Sequence, residues 1–280
     1  MKALTINIHS HFPGMDSEMY IYNIGVFTKY ICEHKIDVFA LQECCQTHDA
    51  EGVEEALPGF FVPCCEKTMI KHDNCAYLIA KELERLGCCY HWTWSSAKIG
   101  YDAYDEGLAV FCREPILKAE ECFLSNSTEH SNWKTRKAVG VKTTIGGKKQ
   151  WFYSVHMGWW NDEEEPFSEQ MDRLQEHVGQ KKENVFLMGD FNSNAGISGE
   201  SYDYTKNFGW YDTYELAEKK DEGITVPGKI DGWEKVNAGM RIDYIWTREK
   251  QKITSSEVIF NQKNEKAISD HFGVIIDMRL

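Results

Sequence analysis

The stretch VFLMGDFN, residues 185–192, joins an apolar run to a polar turn and gives the first indication of the fold. Val185–Met188 is an uninterrupted apolar run of strand length, which is typical of a strand covered on both faces. Asp190 and Asn192 follow this run directly. An Asx turn accounts for such a pair by itself, so its meaning depends on whether other predicted strands end in the same way.

Short apolar runs of this kind recur along the chain. The predicted strands are Ala3–Ile8, Val38–Leu41, Leu108–Phe111, Ala138–Thr143, Gln150–Val155, Val185–Met188, Ile242–Trp246 and Val274–Met278. Helical spacing of apolar residues predicts helices over Met19–Cys32, Tyr77–Leu86 and Glu169–Val178. Many strands with few helices between them indicate an α+β fold of stacked sheets with helices outside. No internal repeat or linker is present, so a single domain over residues 1–280 is expected.

Polar residues at the ends of these strands are the candidate functional groups. Asn7 lies within the first predicted strand, Glu43 follows the second, and His156 follows the fifth. Asp270 and His271 precede the last strand. Strand ends at one sheet edge can converge on a single cleft, where catalytic groups commonly lie. Each residue alone also has an ordinary explanation, as a core amide, a surface charge or a core histidine.

Together these residue types supply what hydrolysis of a phosphoester requires. Mg²⁺ prefers one or two carboxylates, with water and substrate phosphate completing its shell. A carboxylate can orient or deprotonate the attacking water. Histidines can donate hydrogen bonds to phosphoryl oxygens as negative charge builds there.

The formal net charge of −13 bears on the partner. Long nucleic acids are held mostly by Lys and Arg side chains that neutralise phosphates. The charge therefore argues against a nucleic-acid partner. A small anion needs only one local positive site, which a metal ion can supply.

The chain shows no secretory or membrane signal. Residues 1–9 lack the apolar segment of a signal peptide, and no apolar run approaches the ~18 residues of a membrane span. The ten cysteines include no C-x-x-C spacing, so neither a zinc ribbon nor a thioredoxin-type motif is indicated. We therefore expect a cytoplasmic protein whose cysteines act as small buried hydrophobes.

Seven motifs in a fixed order resemble those of the endonuclease/exonuclease/phosphatase (DNase I-like) superfamily. They are Asn7, Leu41-Gln42-Glu43, Glu106-Gly107-Leu108-Ala109-Val110-Phe111, Ser154-Val155-His156, Gly189-Asp190-Phe191-Asn192, Arg241-Ile242-Asp243-Tyr244-Ile245 and Ser269-Asp270-His271. The resemblance covers nearly the whole chain. It implies a four-layer α/β sandwich, in which two packed mixed β-sheets are flanked by helices and the cleft lies at one sheet edge.

The resemblance also implies roles on the metal and water side of the site. Glu43 is expected to be the principal ligand of Mg²⁺, or of Mn²⁺ in its place, with Asn7 close by. Asp270 is expected to be a further carboxylate beside the metal. Asp190 is expected to align or deprotonate the attacking water, and Asn192 to contact phosphate or metal.

Two histidines are implied on the phosphate side. His271 is expected to bind phosphate and stabilise the transition state, with Asp243 orienting it. His156 is expected to be a second phosphate-side histidine, with Glu106 as its partner. A carboxylate on one imidazole nitrogen fixes the tautomer and raises the basicity of the other nitrogen.

Two segments that mix aromatic residues with carboxylates bear on the substrate, residues 90–105 and residues 157–167. Aromatic faces pack against sugar rings, and carboxylates accept hydrogen bonds from hydroxyl groups. Packing in the core or in loops explains the same tryptophans equally simply. The pair Trp159 and Trp160 follows His156 closely, and we expect it to hold a sugar. Arg136 is a candidate for contacting the phosphate, or is part of a solvated strand entry.

The stretches Val155–Phe167, Gly100–Arg113 and Asn132–Gly140 are similar to bacterial maltose 6′-phosphate phosphatases. This second resemblance implies a Mg²⁺-dependent phosphomonoesterase that converts maltose 6′-phosphate to maltose and phosphate. It further implies no nucleic-acid, membrane or obligate protein partner. The alternative is a Mg²⁺-dependent endonuclease, which would need a basic groove, or a sphingomyelinase-like phosphodiesterase, which would need an exposed apolar hairpin. An inactive binding module would be expected to lack one of Glu43, Asp190 or His271.

Overall fold

A computed structural model describes residues 1–66, 68–230, 232–233 and 238–279. The strands are β1 (Lys2–Asn7), β2 (Val38–Gln42), β3 (Gln46–Thr47), β4 (Phe60–Phe61), β5 (His91–Gly100), β6 (Tyr104–Cys112), β7 (Ile116–Phe123), β8 (Lys137–Ile145), β9 (Lys148–His156), β10 (Asn184–Asp190), β11 (Tyr211–Asp212), β12 (Lys219–Lys220), β13 (Asp243–Thr247), β14 (Ile253–Ile259) and β15 (Gly273–Met278). The helices are α1 (Ser17–His34), α2 (Cys75–Arg85), α3 (Phe167–Gly179), α4 (Ser201–Asn207) and α5 (Thr213–Leu216).

Within these residues the strands form two mixed sheets. The first has the order β12-β14-β15-β1-β2-β6-β5-β4, with β3 also pairing with β6, and the second has the order β11-β13-β10-β9-β8-β7. Each sheet has a parallel pair at its centre, β1 with β2 and β9 with β10. The carboxyl ends of a parallel pair meet at the same sheet edge, so each sheet brings two strand ends together.

Alternation along the strands builds the layers. In β10, Phe186 and Met188 pack between the two sheets, whereas Val185 and Leu187 pack on the outer face of the second sheet. Successive side chains of a strand point to opposite faces, so a continuous apolar run serves both layers. Fully burying one such side chain stabilises the fold by roughly 1.5–3 kcal/mol.

Helices cover both outer faces. Ile24, Phe27 and Ile31 of α1 pack with α2 against the first sheet. Met171 and Leu174 of α3 pack against the second. The layer order of helix, sheet, sheet and helix is the four-layer sandwich that the resemblance implied.

Each predicted strand and helix overlaps an observed element, with ends that differ by a few residues. Three long strands, β5, β7 and β14, had no predicted counterpart, because polar residues interrupt their apolar pattern. Most of the segment 90–105 is strand, and Trp92 and Trp94 are buried in the core. Their indole nitrogens donate to the carbonyls of Pro58 and Cys44, at 2.9 and 2.6 Å, so core packing is the correct alternative for this pair.

All ten cysteines lie within the described residues, and all are free thiols. Cys44, Cys45, Cys75 and Cys112 are buried as expected, whereas Cys89 is exposed. Among the described residues, none of the helices combines the length and apolar content of a membrane-spanning segment. The single domain over residues 1–280 stays a prediction.

Candidate active site

Four strand ends meet at one edge of the two packed sheets. In the first sheet Asn7 at the end of β1 pairs with Gln42 at the end of β2. In the second sheet Asp190 at the end of β10 pairs with His156 at the end of β9. The sheets are joined just below this edge, where Gln42 Nε2 donates to Ser154 Oγ at 2.9 Å. This buried hydrogen bond fixes the distance between the two sets of strand ends.

The Asn7 side chain connects the two sheets within the site. Its Nδ2 donates to Glu43 Oε1 at 2.8 Å and to Asp190 Oδ2 at 3.1 Å. Its Oδ1 accepts from the backbone N–H of His9 at 3.2 Å. One fully buried amide therefore holds two carboxylates from different sheets. In this orientation the Asn7 amide orients the Glu43 and Asp190 carboxylates, and its role beside the metal stays a prediction.

The backbone beside these carboxylates has unusual conformations. Glu43 has φ +47° and Asn192 has φ +45°, and positive φ is uncommon for residues other than glycine. The Glu43 carbonyl accepts from Ser10 N at 3.1 Å and from Ser10 Oγ at 2.9 Å, which holds the turn in place. Such local strain costs on the order of 1–3 kcal/mol and is concentrated at functional sites.

Gly189 is required by the close approach of β9 and β10. It has φ +150°, and a Cβ atom there would lie 2.0 Å from the carbonyl oxygen of Val155. A side chain at residue 189 would therefore push Asp190 away from His156.

Burial disfavours the ionised forms of the Glu43 and Asp190 carboxylates. Burial and the neighbouring Glu106 raise the pKa of Glu43. Burial and the neighbouring Asp243 raise the pKa of Asp190, although His271 opposes the shift. A divalent cation would stabilise both ionised carboxylates, and two carboxylates are a donor set that Mg²⁺ accepts. These residues therefore fit a bound divalent metal.

His271 is held by a buried carboxylate. Its Nδ1 lies 3.0 and 3.1 Å from the two oxygens of Asp243, and its Nε2 lies 3.7 Å from Asp190 Oδ2. Burial alone would lower the pKa of His271, but Asp243 and Asp190 raise it to about 10. Asp190, Asp243 and His271 offer ligand atoms within 4.8 Å of one another. Because the raised pKa keeps the ring doubly protonated, Nδ1–H donates to Asp243 and Nε2–H faces the cleft.

His156 lies at the centre of a second charged group. Its Nδ1 is 3.5 Å from Glu106 Oε1, and its Nε2 is 3.7 Å from Asp190 Oδ2. Burial, together with Arg136, lowers the pKa of His156. Glu106 also forms an ion pair with Lys98, whose Nζ lies 3.2 Å from Glu106 Oε1. Despite burial, Lys98 and His156 hold the pKa of Glu106 well below its usual range. The expected pairing of Glu106 with His156 is present.

Asp270 and His9 form a third pair at the mouth of the site. His9 Nδ1 lies 3.0 Å from Asp270 Oδ1. Burial opposes both shifts, yet the pair raises the pKa of His9 to about 9 and lowers that of Asp270 to about 2. Asp270 is therefore an ionised carboxylate, and it lines the same cleft as Glu43.

These groups open into a cleft of about 300 Å³. It is lined by His9, Glu43, Lys98, Gly100, Tyr101, Glu106, Trp133, Arg136, His156, Trp159, Asp190, Asn192, Ile230, Asp270 and His271. Asn7 and Asp243 are buried behind its wall. Of the twelve predicted site residues, the structure brings nine to the cleft surface and places Asn7 and Asp243 directly beneath it, with one exception.

That exception is Trp160, which leaves nine predicted residues on the cleft surface. Its ring packs against Phe167 and Tyr204, at centroid distances of 6.3 and 5.6 Å, in the outer core beside α3 and α4. Trp159 lies in the cleft wall, where the Arg136 guanidinium carbon is 5.9 Å from its ring centroid. The expectation that both tryptophans hold the sugar is corrected, because adjacent residues here point to different environments.

Six cleft residues were not among the predicted site residues, although Tyr101 lies in the aromatic segment 90–105: His9, Lys98, Gly100, Tyr101, Trp133 and Ile230. Lys98 lies in β5 next to an irregularity in the pairing with β6 between Ser96 and Lys98. A β-bulge re-aims a side chain, and no pattern in the sequence indicates one here. His9 follows Asn7 by two residues, and that spacing was the one available signal.

Asn192 completes the floor of the cleft. Its Nδ2 donates to the Met157 carbonyl at 2.9 Å, and its backbone N–H donates to Asp190 Oδ1 at 2.8 Å. Its Oδ1 accepts from the indole nitrogen of Trp233 at 3.2 Å. Asn192 therefore fixes the Asp190 carboxylate as well as facing the cleft.

Comparison with known proteins identifies the family. The model of the endonuclease/exonuclease/phosphatase family matches residues 21–271. A solved structure of a family protein from Leptotrichia buccalis is 31% identical, with a TM-score of 0.86 and 100% of each chain covered. No curated protein matches the chain.

More distant solved structures share the fold. A mannosyl-6-phosphatase from Bacteroides thetaiotaomicron is 18% identical, with a TM-score of 0.69 and 100% of each chain covered. A truncated Caenorhabditis elegans TDP2 is 15% identical, with a TM-score of 0.61, covering 100% of this chain and 97% of that one. The family match over most of the sequence, with the 31% identity along both full chains, shows that this chain belongs to the endonuclease/exonuclease/phosphatase family.

Proposed function

We propose that the protein is a Mg²⁺-dependent phosphomonoesterase that hydrolyses a small sugar phosphate, with maltose 6′-phosphate as the specific candidate. One observation carries the proposal. The Glu43 and Asp190 carboxylates, which share the Asn7 amide as a donor, face a cleft of about 300 Å³ with three histidines and a wall of Trp159 and Arg136. Such a cleft suits one phosphate on a compact neutral body.

Glu43 and Asp190 would hold the metal ion, with Asp270 as a further ionised carboxylate beside them. A bound Mg²⁺ supplies positive charge that offsets the charge on the phosphoryl or leaving oxygen. Mn²⁺ takes similar oxygen ligands and is expected to substitute. Asn7 contributes by holding both carboxylates in place, because its Nδ2 group donates one hydrogen bond to each of them.

Asp190 and His271 would carry the chemistry. Asp190 is positioned to orient a water or accept its proton, since its Oδ2 faces both His156 Nε2 and His271 Nε2 at 3.7 Å. His271 donates from Nε2 to a phosphoryl oxygen, while Asp243 fixes the ring. His156, oriented by Glu106, is the second histidine on the phosphate side. Positioned donors of this kind act by electrostatic stabilisation of the transition state.

The cleft wall supports a sugar rather than a nucleic acid. Trp159 offers an aromatic face beside Arg136, and the half-exposed Trp133 lies 6.3 Å from Trp159 between ring centroids. Aromatic faces pack on sugar rings, whereas an extended polyanion would meet a chain with a net charge of −13. One solved structure with this fold, from Bacteroides thetaiotaomicron, is named as a mannosyl-6-phosphatase, which is a phosphatase for a sugar phosphate.

The experiment is a measurement of phosphate release from a panel of substrates. The panel contains maltose 6′-phosphate, mannose 6-phosphate, inositol phosphates and p-nitrophenyl phosphate, with duplex DNA and sphingomyelin for the alternative phosphodiesterase functions. We expect the highest kcat/KM on a sugar phosphate. Cleavage of DNA or sphingomyelin without release from any sugar phosphate would overturn the substrate assignment and favour the alternative.

A variant controls for contaminating phosphatases. Asp190→Asn, purified in the same way, keeps the size of the side chain but removes its basicity. Its release should fall toward the buffer blank on every substrate of the panel. Equal release from the variant would mean that the activity belongs to another protein.

A further inference from the structure

A second group of metal-ligating side chains lies outside the active site, on the other face of β6. His48 Nδ1 is 2.6 Å from Asp105 Oδ1, and His130 Nε2 is 3.9 Å from the same oxygen. One ligand atom from each residue lies within 4.8 Å of the other two. Asp105 and Glu106 are consecutive residues of β6, so this strand places one carboxylate in each of two separate clefts.

The second oxygen of Asp105 is already occupied. Gln46 Nε2 donates to Asp105 Oδ2 at 2.9 Å, and Lys71 Nζ lies 3.3 Å from it. Lys71 also donates to the Thr47 carbonyl at 3.0 Å. These contacts turn Oδ1 toward the two imidazoles. Ligating carboxylates in metal sites are commonly fixed by outer hydrogen bonds of this kind.

Backbone hydrogen bonds hold both histidines to the first sheet. The N–H of His48 donates to the Ala103 carbonyl at 2.8 Å, directly after the pairing of β3 with β6. The carbonyl of His130 accepts from the N–H of Ile99 in β5 at 2.7 Å. Residues far apart in sequence are therefore brought together by ordered backbone rather than by two mobile loops.

We propose that His48, Asp105 and His130 bind one Zn²⁺ ion, or a similar divalent transition ion, at a site distinct from the Mg²⁺ site. Two imidazoles and one carboxylate are a ligand set that Zn²⁺ uses, with water in the remaining position. Mg²⁺ instead prefers oxygen ligands alone. The two sites therefore differ in donor chemistry, and each selects a different metal.

Two small movements would admit the ion. Bonds of about 2.0–2.1 Å at a tetrahedral angle place two ligand atoms about 3.3 Å apart, so the His48–Asp105 hydrogen bond must lengthen. The His48 side chain is 45% exposed, so it has room to shift. His130 must also release Ser96 Oγ, now 2.6 Å from its Nε2. The Ser96 hydroxyl has another acceptor, the Glu106 carbonyl at 3.3 Å.

Nearby cations are already paired. The cavity around the three ligands has a volume of about 730 Å³ and also contains Lys71, Lys137 and Glu121. Lys137 Nζ lies 3.1 Å from Glu121 Oε1, and Lys71 is bound to Asp105 Oδ2 as described.

The test is calorimetric titration of Zn²⁺ into the Glu43→Gln/Asp190→Asn protein in excess Mg²⁺. This background removes the two carboxylates proposed to hold Mg²⁺, Glu43 and Asp190, so its result does not depend on the proposed function. We expect one Zn²⁺ per chain. His48→Ala and His130→Ala should each weaken binding by more than about tenfold, the lower end of what even outer partners of a ligand contribute. His72→Ala is the matched control, because His72 is exposed in the adjacent loop, and it should bind as the background does.

A second measurement covers the case in which a histidine variant misfolds. Co²⁺ bound to the unaltered protein in excess Mg²⁺ should give the visible absorption of a four-coordinate nitrogen–oxygen site, and Zn²⁺ should displace it. The proposal is overturned if the background protein binds no Zn²⁺, if well-folded His48→Ala and His130→Ala proteins bind it unchanged, or if Co²⁺ shows only the weak spectrum of an octahedral oxygen site.

Discussion

An outer group, the half-buried Glu120 carboxylate and its donors, differs in charge balance from the active-site group of Glu43 and Asp190. In the outer group, Glu120 of β7 accepts from Tyr153 Oη at 2.6 Å and lies 2.7 Å from His177 Nε2 and 2.8 Å from Lys118 Nζ. Lys181 also donates to it. Despite partial burial, these donors hold the pKa of Glu120 well below its usual range.

In the active-site group, Glu43 and Asp190 share the single amide of Asn7, and the pKa of each is raised. The Glu120 carboxylate thus has enough donors to stabilise its ionised form, whereas the Glu43 and Asp190 carboxylates do not. The protein can satisfy a buried carboxylate where no ligand is needed. The raised pKa values of Glu43 and Asp190 therefore favour a cation from outside the chain beside these two carboxylates.

The largest expected effect comes from removing the chemical groups of the cleft. Asp190→Asn should lower kcat by about 10²–10⁴, the usual contribution of a positioned acid or base. His271→Ala should lower it by about 10²–10³, since it removes one donor to the developing charge. Steady-state kinetics with circular dichroism as a folding control will measure both. A loss of less than about tenfold in both folded variants would reject these roles.

Glu43→Gln tests whether the Glu43 carboxylate is the reason for metal binding. Loss of a metal that contributes several kcal/mol should lower kcat at least about a hundredfold. Without metal the variant should unfold at a higher temperature than the unaltered protein, because a repelling charge near Glu106 is gone. Mg²⁺ at about a hundred times its Kd should stabilise only the unaltered protein, by about 2.7 kcal/mol. Equal stabilisation of the variant would refute Glu43 as the main ligand.

Glu120→Gln tests the other half of the comparison. Because the folded pKa of Glu120 is depressed, its ion contributes stability above its unfolded pKa and loses it as pH falls toward the folded value. The variant should be less stable at neutral pH by about 1–3 kcal/mol, and the difference should shrink below about pH 4. Chemical denaturation at several pH values gives this difference. Catalysis by the folded variant should be unchanged, and a large loss of kcat would break the distinction between the two groups.

The smallest expected effect concerns substrate binding by Trp159, in the wall of the active-site cleft. Trp159→Ala should raise KM for a sugar phosphate about fivefold, since one aromatic contact contributes on the order of 1 kcal/mol. Turnover of p-nitrophenyl phosphate should change little. Trp160→Ala is the matched control, because the adjacent ring packs in the outer core and should affect stability instead. Equal KM changes in both variants would show that the cleft wall does not set specificity.

The elements that carry the active site could be predicted because two independent signals coincide there. The strands before Glu43 and Asp190 carry continuous apolar runs, and the strand before His156 carries a shorter one over residues 151–153, since all three are covered on both faces. Each run ends in a motif of the family. Neither signal depends on contacts between distant residues, which is why a single sequence contained both.

The remaining parts depend on tertiary packing. Lys98 reaches the cleft from within β5, whose serines and threonine break the apolar pattern. Trp159 and Trp160 are chemically identical neighbours, and only the positions of α3 and α4 assign one to the cleft and the other to the core. The orientation of the Asn7 amide is likewise set by two carboxylates from different sheets, which no local pattern reports.

The most direct test of the central claim is the metal dependence of phosphate release from maltose 6′-phosphate by the unaltered protein. Release should fall to the buffer blank in excess EDTA and return when Mg²⁺ is restored, with no comparable nicking of plasmid DNA under the same conditions. Undiminished release in EDTA, or plasmid cleavage without release from any sugar phosphate, would contradict the account.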